Sequence, residues 1–158
     1  MAMKQKSVSN KSPAAQIAGF IAKFDPQLAG KIRTARQALR KRFPTAYELV
    51  YDNYNFLVFG FCSTERPSSA IISLTANAKG MGICFIHGKK LPDPDKLLLG
   101  SGNQTRFIRL ENAAVLANPP VEALLRAAVA QAKPPLPASG RGRTIIRLIA
   151  PKQRPRRS

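Results

Sequence analysis

The sequence contains few acidic residues and few of the residue types that usually carry catalysis or metal binding. Its 158 residues include 8 Asp and Glu, one His, two Cys and no Trp. Hard cations need clustered carboxylates, and acid–base catalysis needs groups whose pKa values are tuned by close neighbours. Because the chain offers so little of either, we expect a binding domain that is not an enzyme and holds no metal and no cofactor.

Long apolar segments are absent as well. No stretch approaches the roughly 20 apolar residues of a membrane-spanning helix. The N-terminal Met-Ala-Met-Lys-Gln-Lys leads into polar residues rather than into a signal-peptide core. Cys62 and Cys84 lie in apolar, strand-like runs, which suits buried thiols in a reducing compartment better than a disulfide framework. The sequence therefore predicts a cytoplasmic protein without a membrane segment.

Positive charge is abundant and concentrated at both ends of the chain. The 26 Lys and Arg give a formal net charge of +18. Residues 1–12 contain three Lys and no acid, and residues 134–158 contain seven Lys and Arg and no acid. Residues 133–140 have the Pro- and Gly-containing composition of a linker. We interpret the chain as a basic flexible leader at 1–12, one domain at 13–133, and a linker with an Arg-rich tail at 134–158.

The order of helical and strand patterns predicts the fold class. The Ser-Pro pair at 12–13, the Asp-Pro pair at 25–26 and the Asn-Pro pair at 118–119 are typical of helix starts. Strand-like segments follow the second helix without an intervening helix, which indicates an antiparallel meander. They are two strands within 47–61 joined at Asp52 and Asn53, then 70–76, 81–86 and 105–110. We predict an α+β fold, a five-stranded antiparallel sheet with N-terminal helices and a C-terminal helix packed on it.

The first predicted strand carries tyrosines at alternate positions. Tyr47, Leu49 and Tyr51 fall on one face, and we assign that face to the side covered by helices. The tyrosines of this hairpin, with Asn53 and Asn55, could also line a ligand groove or stack on single-stranded bases. Cross-strand packing is the interpretation that we favour.

Several motifs resemble the YdhG-like domain family of unknown function. They are VYDNYNFLVFGF at 50–61, STERPS at 63–68, LPDP at 91–94, LLGSG at 98–102 and QTRFIRL at 104–110. The resemblance covers about residues 15–132 and implies a frataxin-like sandwich with helices on one face of an antiparallel sheet. Iron carriage is the best-known function attached to this family, so the resemblance also implies a frataxin-like iron carrier as an alternative.

The charges of the second predicted helix argue against iron carriage. Between Pro26 and Phe43 this helix has no Asp or Glu after its cap, Asp25. Frataxin-type carriers are expected to use an acidic helix and edge, whereas a face of Lys and Arg repels a cation. We therefore place anion binding ahead of iron carriage.

The loop between the fourth and fifth predicted strands carries the main candidate site. Backbone N–H groups of a Gly-rich turn, together with nearby cations, can cradle a phosphate or carboxylate. We predict that a small anionic ligand is bound by Lys89, Lys90, Gly100, Ser101, Gly102, Gln104 and Arg106. The alternative is a glycine turn that only enters the fifth strand.

His87 raises two further alternatives, a metal site and a Cys–His nucleophile. It follows Cys84 by three residues and is near Asp93 and Asp95 in the sequence. Cys62 and Cys84 fall on strands separated by a third, too far apart for one tetrahedral metal, and burial in a strand raises a thiol pKa. We interpret the two acids as turn formers and predict neither a metal site nor catalytic residues.

The basic ends support a second hypothesis, nucleic-acid binding through flexible tails. Arginines of this kind neutralise phosphates, and no folding role is evident for 141–143 or 154–157. The predicted contacts are Lys4, Lys6, Arg141, Arg143, Arg154, Arg156 and Arg157. The alternative is a solubilising, disordered end. The apolar segment 144–150 could add an edge strand or dock on a partner, and the oligomeric state stays open.

Overall fold

The structure is a computed structural model that describes residues 11–158, which form an α+β fold. Its elements are α1 Pro13–Ala22, α2 Pro26–Arg42, β1 Tyr47–Asp52, β2 Leu57–Cys62, β3 Ala70–Asn77, β4 Gly80–Phe85, β5 Arg106–Leu110, α3 Pro119–Ala130 and β6 Thr144–Ile149. The predicted helix starts are confirmed, because each helix has proline in its first turn. No helix among the described residues is long and apolar enough to cross a lipid bilayer.

The strands form one sheet in the order β5-β4-β3-β2-β1-β6. β1 to β5 are successive antiparallel neighbours, which confirms the predicted meander. β6 pairs with β1 in parallel, so the sheet is six-stranded and mixed rather than five-stranded and antiparallel. A parallel neighbour requires a long connection, and the chain after α3 supplies one in residues 131–143.

The turn between β1 and β2 lies later in the sequence than predicted. β1 continues through Asp52, and the Asn53 N–H donates to the Phe56 carbonyl at 2.9 Å to close the turn. Asp52 is completely buried, and its carboxylate contacts Lys23 at 2.8 Å and Arg156 at 2.9 Å. These distant partners hold Asp52 in the strand, where local turn preference alone would not place it.

The helices cover the face of β1 that carries its acids. Val50 belongs to the main hydrophobic core, whereas Leu49 is buried outside that cluster. Glu48, on the same face as Val50, is buried against α2. Assigning Tyr47 and Tyr51 to the helix-covered face is therefore wrong, because Glu48, Val50 and Asp52 occupy that face instead.

One hydrophobic cluster joins the three helices to this face of the sheet. Burying a large apolar side chain contributes roughly 1.5–3 kcal/mol, so the cluster is the main source of stability. Its fully buried members include Phe24, Ile32, Phe59, Leu74, Ile83 and Phe85. The C-terminal end of α2 lies at the margin of this core. The segment that leads into β6 passes next to the residues that follow this helix.

Candidate functional site

The predicted anion loop folds with its two ends together. The Lys89 N–H donates to the Gln104 carbonyl at 2.9 Å, and Gly88 packs against the side chain of Arg106. The structure therefore brings Lys89, Gln104 and Arg106 into one neighbourhood. Lys90 lies beside them at the end of a short 3₁₀ turn.

Much of this loop is bonded to its own backbone. The Arg106 NH1 group donates to the carbonyls of Gly102 at 2.7 Å and Thr105 at 2.9 Å. Gly100 has φ 107° beside the Phe107 ring, so the turn itself explains this glycine. The exposed members of the predicted site are Lys89, Lys90, Gly100, Ser101, Gly102 and Gln104. Ligand binding at this loop stays a prediction.

A larger concavity lies beside the C-terminal end of α2. This open groove has a volume of about 440 Å³, whereas two smaller pockets have about 20 and 10 Å³. Only the first has the volume of a typical small-molecule site. We call it the cationic groove. Its polar walls are Gln37, Arg40, Lys41, Glu48, Arg141 and Thr144, and its apolar walls are Phe43, Pro44, Ala46 and Phe61.

The end of α2 and a glycine in the linker shape the groove. The Phe43 N–H donates to the Leu39 carbonyl at 2.9 Å, and Pro44 then stops the helix. On the opposite side, the Gly142 N–H donates to the Pro44 carbonyl at 3.2 Å. A Cβ at position 142 would lie 1.7 Å from the Ala46 carbonyl oxygen, so only glycine permits this approach. This close contact between the linker and residues 44–46 places Arg141 at the edge of the groove.

Glu48 lies in the groove wall but its charge is already neutralised. Its side chain is 3% exposed, and Arg36 binds it through two hydrogen bonds of 2.9 Å. The Thr144 hydroxyl donates a third bond of 2.8 Å, and the Arg40 Nε atom lies 3.8 Å away. Paired, hydrogen-bonded geometry is what a buried carboxylate requires. Glu48 therefore neutralises mainly Arg36, and its longer ion pair with Arg40 leaves Lys41 and Arg141 without an acidic partner in the groove lining.

Three exposed cations line this concavity. They are Arg40, Lys41 and Arg141. Basic side chains in the last turn of a helix also complement the helix dipole, which accounts in part for Arg40 and Lys41. Arg141 belongs to the linker and has no such explanation. Because same-sign charges line a concave surface, their fields add there and attract anions.

The C-terminal residues form a second charged cluster, at the far end of β1. Burial alone would raise the pKa of Asp52, but hydrogen bonds from Lys23, Gln153 and Arg156 hold it below the ordinary value of 3.8. The Arg156 guanidinium also lies 5.8 Å from the centre of the Phe24 ring. The statement that 154–157 has no folding role is therefore wrong for Arg156.

The other arginines of the tail hypothesis also contact the body. Arg143 pairs with Glu65 at 2.6 Å, Arg154 lies 5.6 Å from the Tyr54 ring centre, and Arg157 donates to the carbonyls of Ala22 and Lys23. Arg141 lines the cationic groove. Lys4 and Lys6 lie outside the described residues. Four of these seven cations contact other residues of the fold, and a fifth, Arg141, lines the groove. Nucleic-acid binding by these cations stays a prediction.

The cysteines and acids outside these clusters do not converge. Burial raises the pKa of Cys62 to about 11 and also raises that of Cys84, and both thiols are free. Asp93 accepts hydrogen bonds from the N–H groups of Leu97 and Leu98, as a turn former does. Within residues 11–158, no three His, Cys, Asp or Glu side chains come together as a metal site would require.

Sequence reasoning missed most of the cationic groove. The basic residues of the second helix were interpreted only as a face that repels cations, and Arg141 was placed in a flexible tail. The signal that could have found the site is the Arg-Gly-Arg run at 141–143, because a glycine between two cations permits close crossing of another segment. The chain matches no family model, no curated protein and no solved structure.

Proposed function

We propose that this protein is a non-enzymatic binding domain that takes a small anionic ligand in the cationic groove. The observation that carries the proposal is the convergence of Arg40, Lys41 and Arg141 on a concavity of about 440 Å³. The carboxylate beside them, Glu48, is already bound to Arg36. Anionic oxygens are the natural partners of guanidinium and ammonium groups in such a site.

The apolar walls define the size and character of the ligand. Phe43 and Phe61 pack with ring centres 6.3 Å apart at one side of the groove, next to Pro44 and Ala46. Pockets of this kind combine apolar contact with a few polar groups that fix orientation. We therefore favour a compact organic anion over a bare inorganic ion.

Titration calorimetry with citrate, pyrophosphate and benzoate tests the proposal. Arg40→Gln and Arg141→Gln should each weaken the best-bound anion about tenfold, because each removes one charge-assisted hydrogen bond. Arg33→Gln is the matched control, since Arg33 is an exposed arginine of the same helix and lies outside the groove lining. Its affinity should equal that of the parent protein.

The same titration separates the groove from the predicted loop site. Lys89→Gln and Arg106→Gln remove two cations of the loop and should leave anion affinity unchanged. If the loop variants abolish binding and the groove variants do not, the anion site is the loop between β4 and β5. If no anion binds at all, the proposed function is wrong.

We also propose membership of a YdhG-like family with a frataxin-like architecture, on the basis of the motifs at 50–61 and 98–110. Helices packed on one face of an antiparallel β1–β5 meander support this proposal. The parallel β6 is an addition to the expected architecture. A solved structure of a protein with these motifs tests the proposal by its strand order.

A further inference from the structure

β6 is the end strand of the sheet, with β1 as its neighbour in residues 11–158. The Glu48 N–H donates to the Arg143 carbonyl at 2.9 Å, and the Ala150 N–H donates to the Asp52 carbonyl at 2.8 Å. Alternate residues of a parallel strand direct both backbone groups to the same side. Ile149, the register partner of Asp52, therefore directs its N–H and carbonyl away from β1.

Exposed apolar side chains lie at the end of β6 and in the turn that follows β1. Leu148 is 48% exposed and Ile149 is 47% exposed, at the end of β6. Tyr54 and Phe56, in the turn that follows β1, are 51% and 40% exposed. These four are most of the large hydrophobic side chains that the described residues expose. A strand edge with exposed apolar side chains is a template for pairing with another chain.

The opposite edge of the sheet is covered at one position. Leu99 forms an isolated bridge with Phe107 of β5, with N–H to carbonyl distances of 2.8 and 3.0 Å in the two directions. This bridge uses backbone groups of β5 that would otherwise be free. The β6 edge has no equivalent cover among the described residues, so the two edges differ in their readiness to accept a strand.

The positive charge near β6 indicates what kind of strand could pair with its free edge. No acid follows Glu122 in the sequence, and Arg147, Lys152 and Arg154 are exposed along or just beyond β6. The net charge of +18 makes pairing with a second copy of this chain repulsive. An acidic strand would gain both backbone hydrogen bonds and opposite charges.

We propose that the free edge of β6 binds an extended, acidic segment of another protein, which adds a seventh strand to the sheet. Ile149 supplies outward backbone hydrogen bonds, and Leu148 supplies apolar contact. Arg147 and Lys152 attract the acidic side chains. These residues lie at the opposite end of β6 from Thr144, which lines the cationic groove, so variants at 148 and 149 test this site without changing a groove residue.

Fluorescence anisotropy with a labelled peptide of alternating Glu and Val tests the proposal on the full chain. Ile149→Pro removes the outward N–H and leaves the β1 hydrogen bonds in place. Leu148→Glu adds a repelling charge at an exposed position. Each should weaken peptide binding about tenfold or more, and added salt should weaken binding of the parent protein. Leu99→Ser is the matched control for an exposed leucine, and it should bind as the parent does.

The comparison peptide has Lys in place of Glu, and single-stranded oligothymidine is the nucleic-acid probe. The proposal is wrong if either probe binds as tightly as the acidic peptide and Ile149→Pro weakens the binding of that probe to the same extent. It is also wrong if the acidic peptide does not bind, or binds both variants as it binds the parent. Dimerisation that Ile149→Pro abolishes would identify a second copy as the occupant instead. If circular dichroism shows that Ile149→Pro is unfolded, Leu148→Glu decides.

Discussion

At the scale of residues, the two acids of β1 each bind a cation from a distant part of the chain. Glu48 binds Arg36 of α2, and Asp52 binds Lys23 and Arg156. A buried carboxylate without such a partner would lose several kcal/mol of hydration that nothing replaces. These pairs therefore fix how the helices and the C-terminal residues sit on β1.

Replacing Arg156 should destabilise the fold strongly. Arg156→Met keeps much of the side-chain volume but leaves Asp52 with Lys23, whose side chain is 44% exposed. We expect the free energy of unfolding in urea to fall by about 2–3 kcal/mol. Arg154→Met is the matched control, because Arg154 is exposed, and its effect should stay within about 0.5 kcal/mol. Equal effects of the two substitutions would contradict the ion pair as a determinant of stability.

Asp52 should also make stability depend on acid pH. Its folded pKa lies below the ordinary value of 3.8, so its ionised form stabilises the fold above that pH. This contribution is lost as pH falls through the folded pKa. We expect urea unfolding to show decreasing stability below about pH 4. Asp52→Asn should be less stable at neutral pH and should show a shallower decrease in acid, whereas an unchanged pH slope would contradict the assignment.

The thiol of Cys62 should be unreactive in the folded protein. Burial raises its pKa to about 11, so little thiolate exists at neutral pH. Alkylation by iodoacetamide, followed by mass spectrometry, should be slow in buffer and fast in denaturant. Rapid alkylation of Cys62 under native conditions would show that the strand is open to solvent.

At the scale of elements, the crossing of the linker over the end of α2 depends on one glycine. A Cβ at Gly142 would lie 1.7 Å from the Ala46 carbonyl oxygen, so Gly142→Ala must move the linker. We expect a loss of about 1–3 kcal/mol in unfolding free energy and weaker anion binding. Gly19→Ala is the control, because nothing lies within 4 Å of that position in α1, and helix propensity should stabilise it by about 1 kcal/mol. A stable Gly142→Ala variant with unchanged anion affinity would contradict this account of the groove.

The helices and the meander could be predicted because local signals specify them. Proline at 13, 26 and 119 marks the helix starts, and β-branched runs mark the strands. The covered face of β1 could not be predicted, because Glu48 and Asp52 are buried only through partners distant in sequence. The groove was missed for the same reason, since α2 and the linker meet at Gly142 only in three dimensions.

At the scale of the whole molecule, the last fifteen residues belong to the fold. They supply β6, the Thr144 hydroxyl on Glu48 and the Arg156 guanidinium on Asp52. Deletion of 144–158 should lower the unfolding free energy by more than about 3 kcal/mol, because two buried carboxylates lose partners. Calorimetric unfolding measures this loss. A deletion variant as stable as the parent would support the boundary predicted at 133–134.

The proposed function depends most on where an anion binds, and nuclear magnetic resonance locates that site directly. Backbone amide signals are followed while citrate is added to the labelled full chain. We predict saturable shifts at Arg40, Lys41, Arg141 and Gly142, around the cationic groove. Signals of Lys89, Ser101, Gly102 and Arg106 should stay in place. Saturable shifts confined to that loop, or no saturable shifts anywhere, would show that the cationic groove is not an anion site.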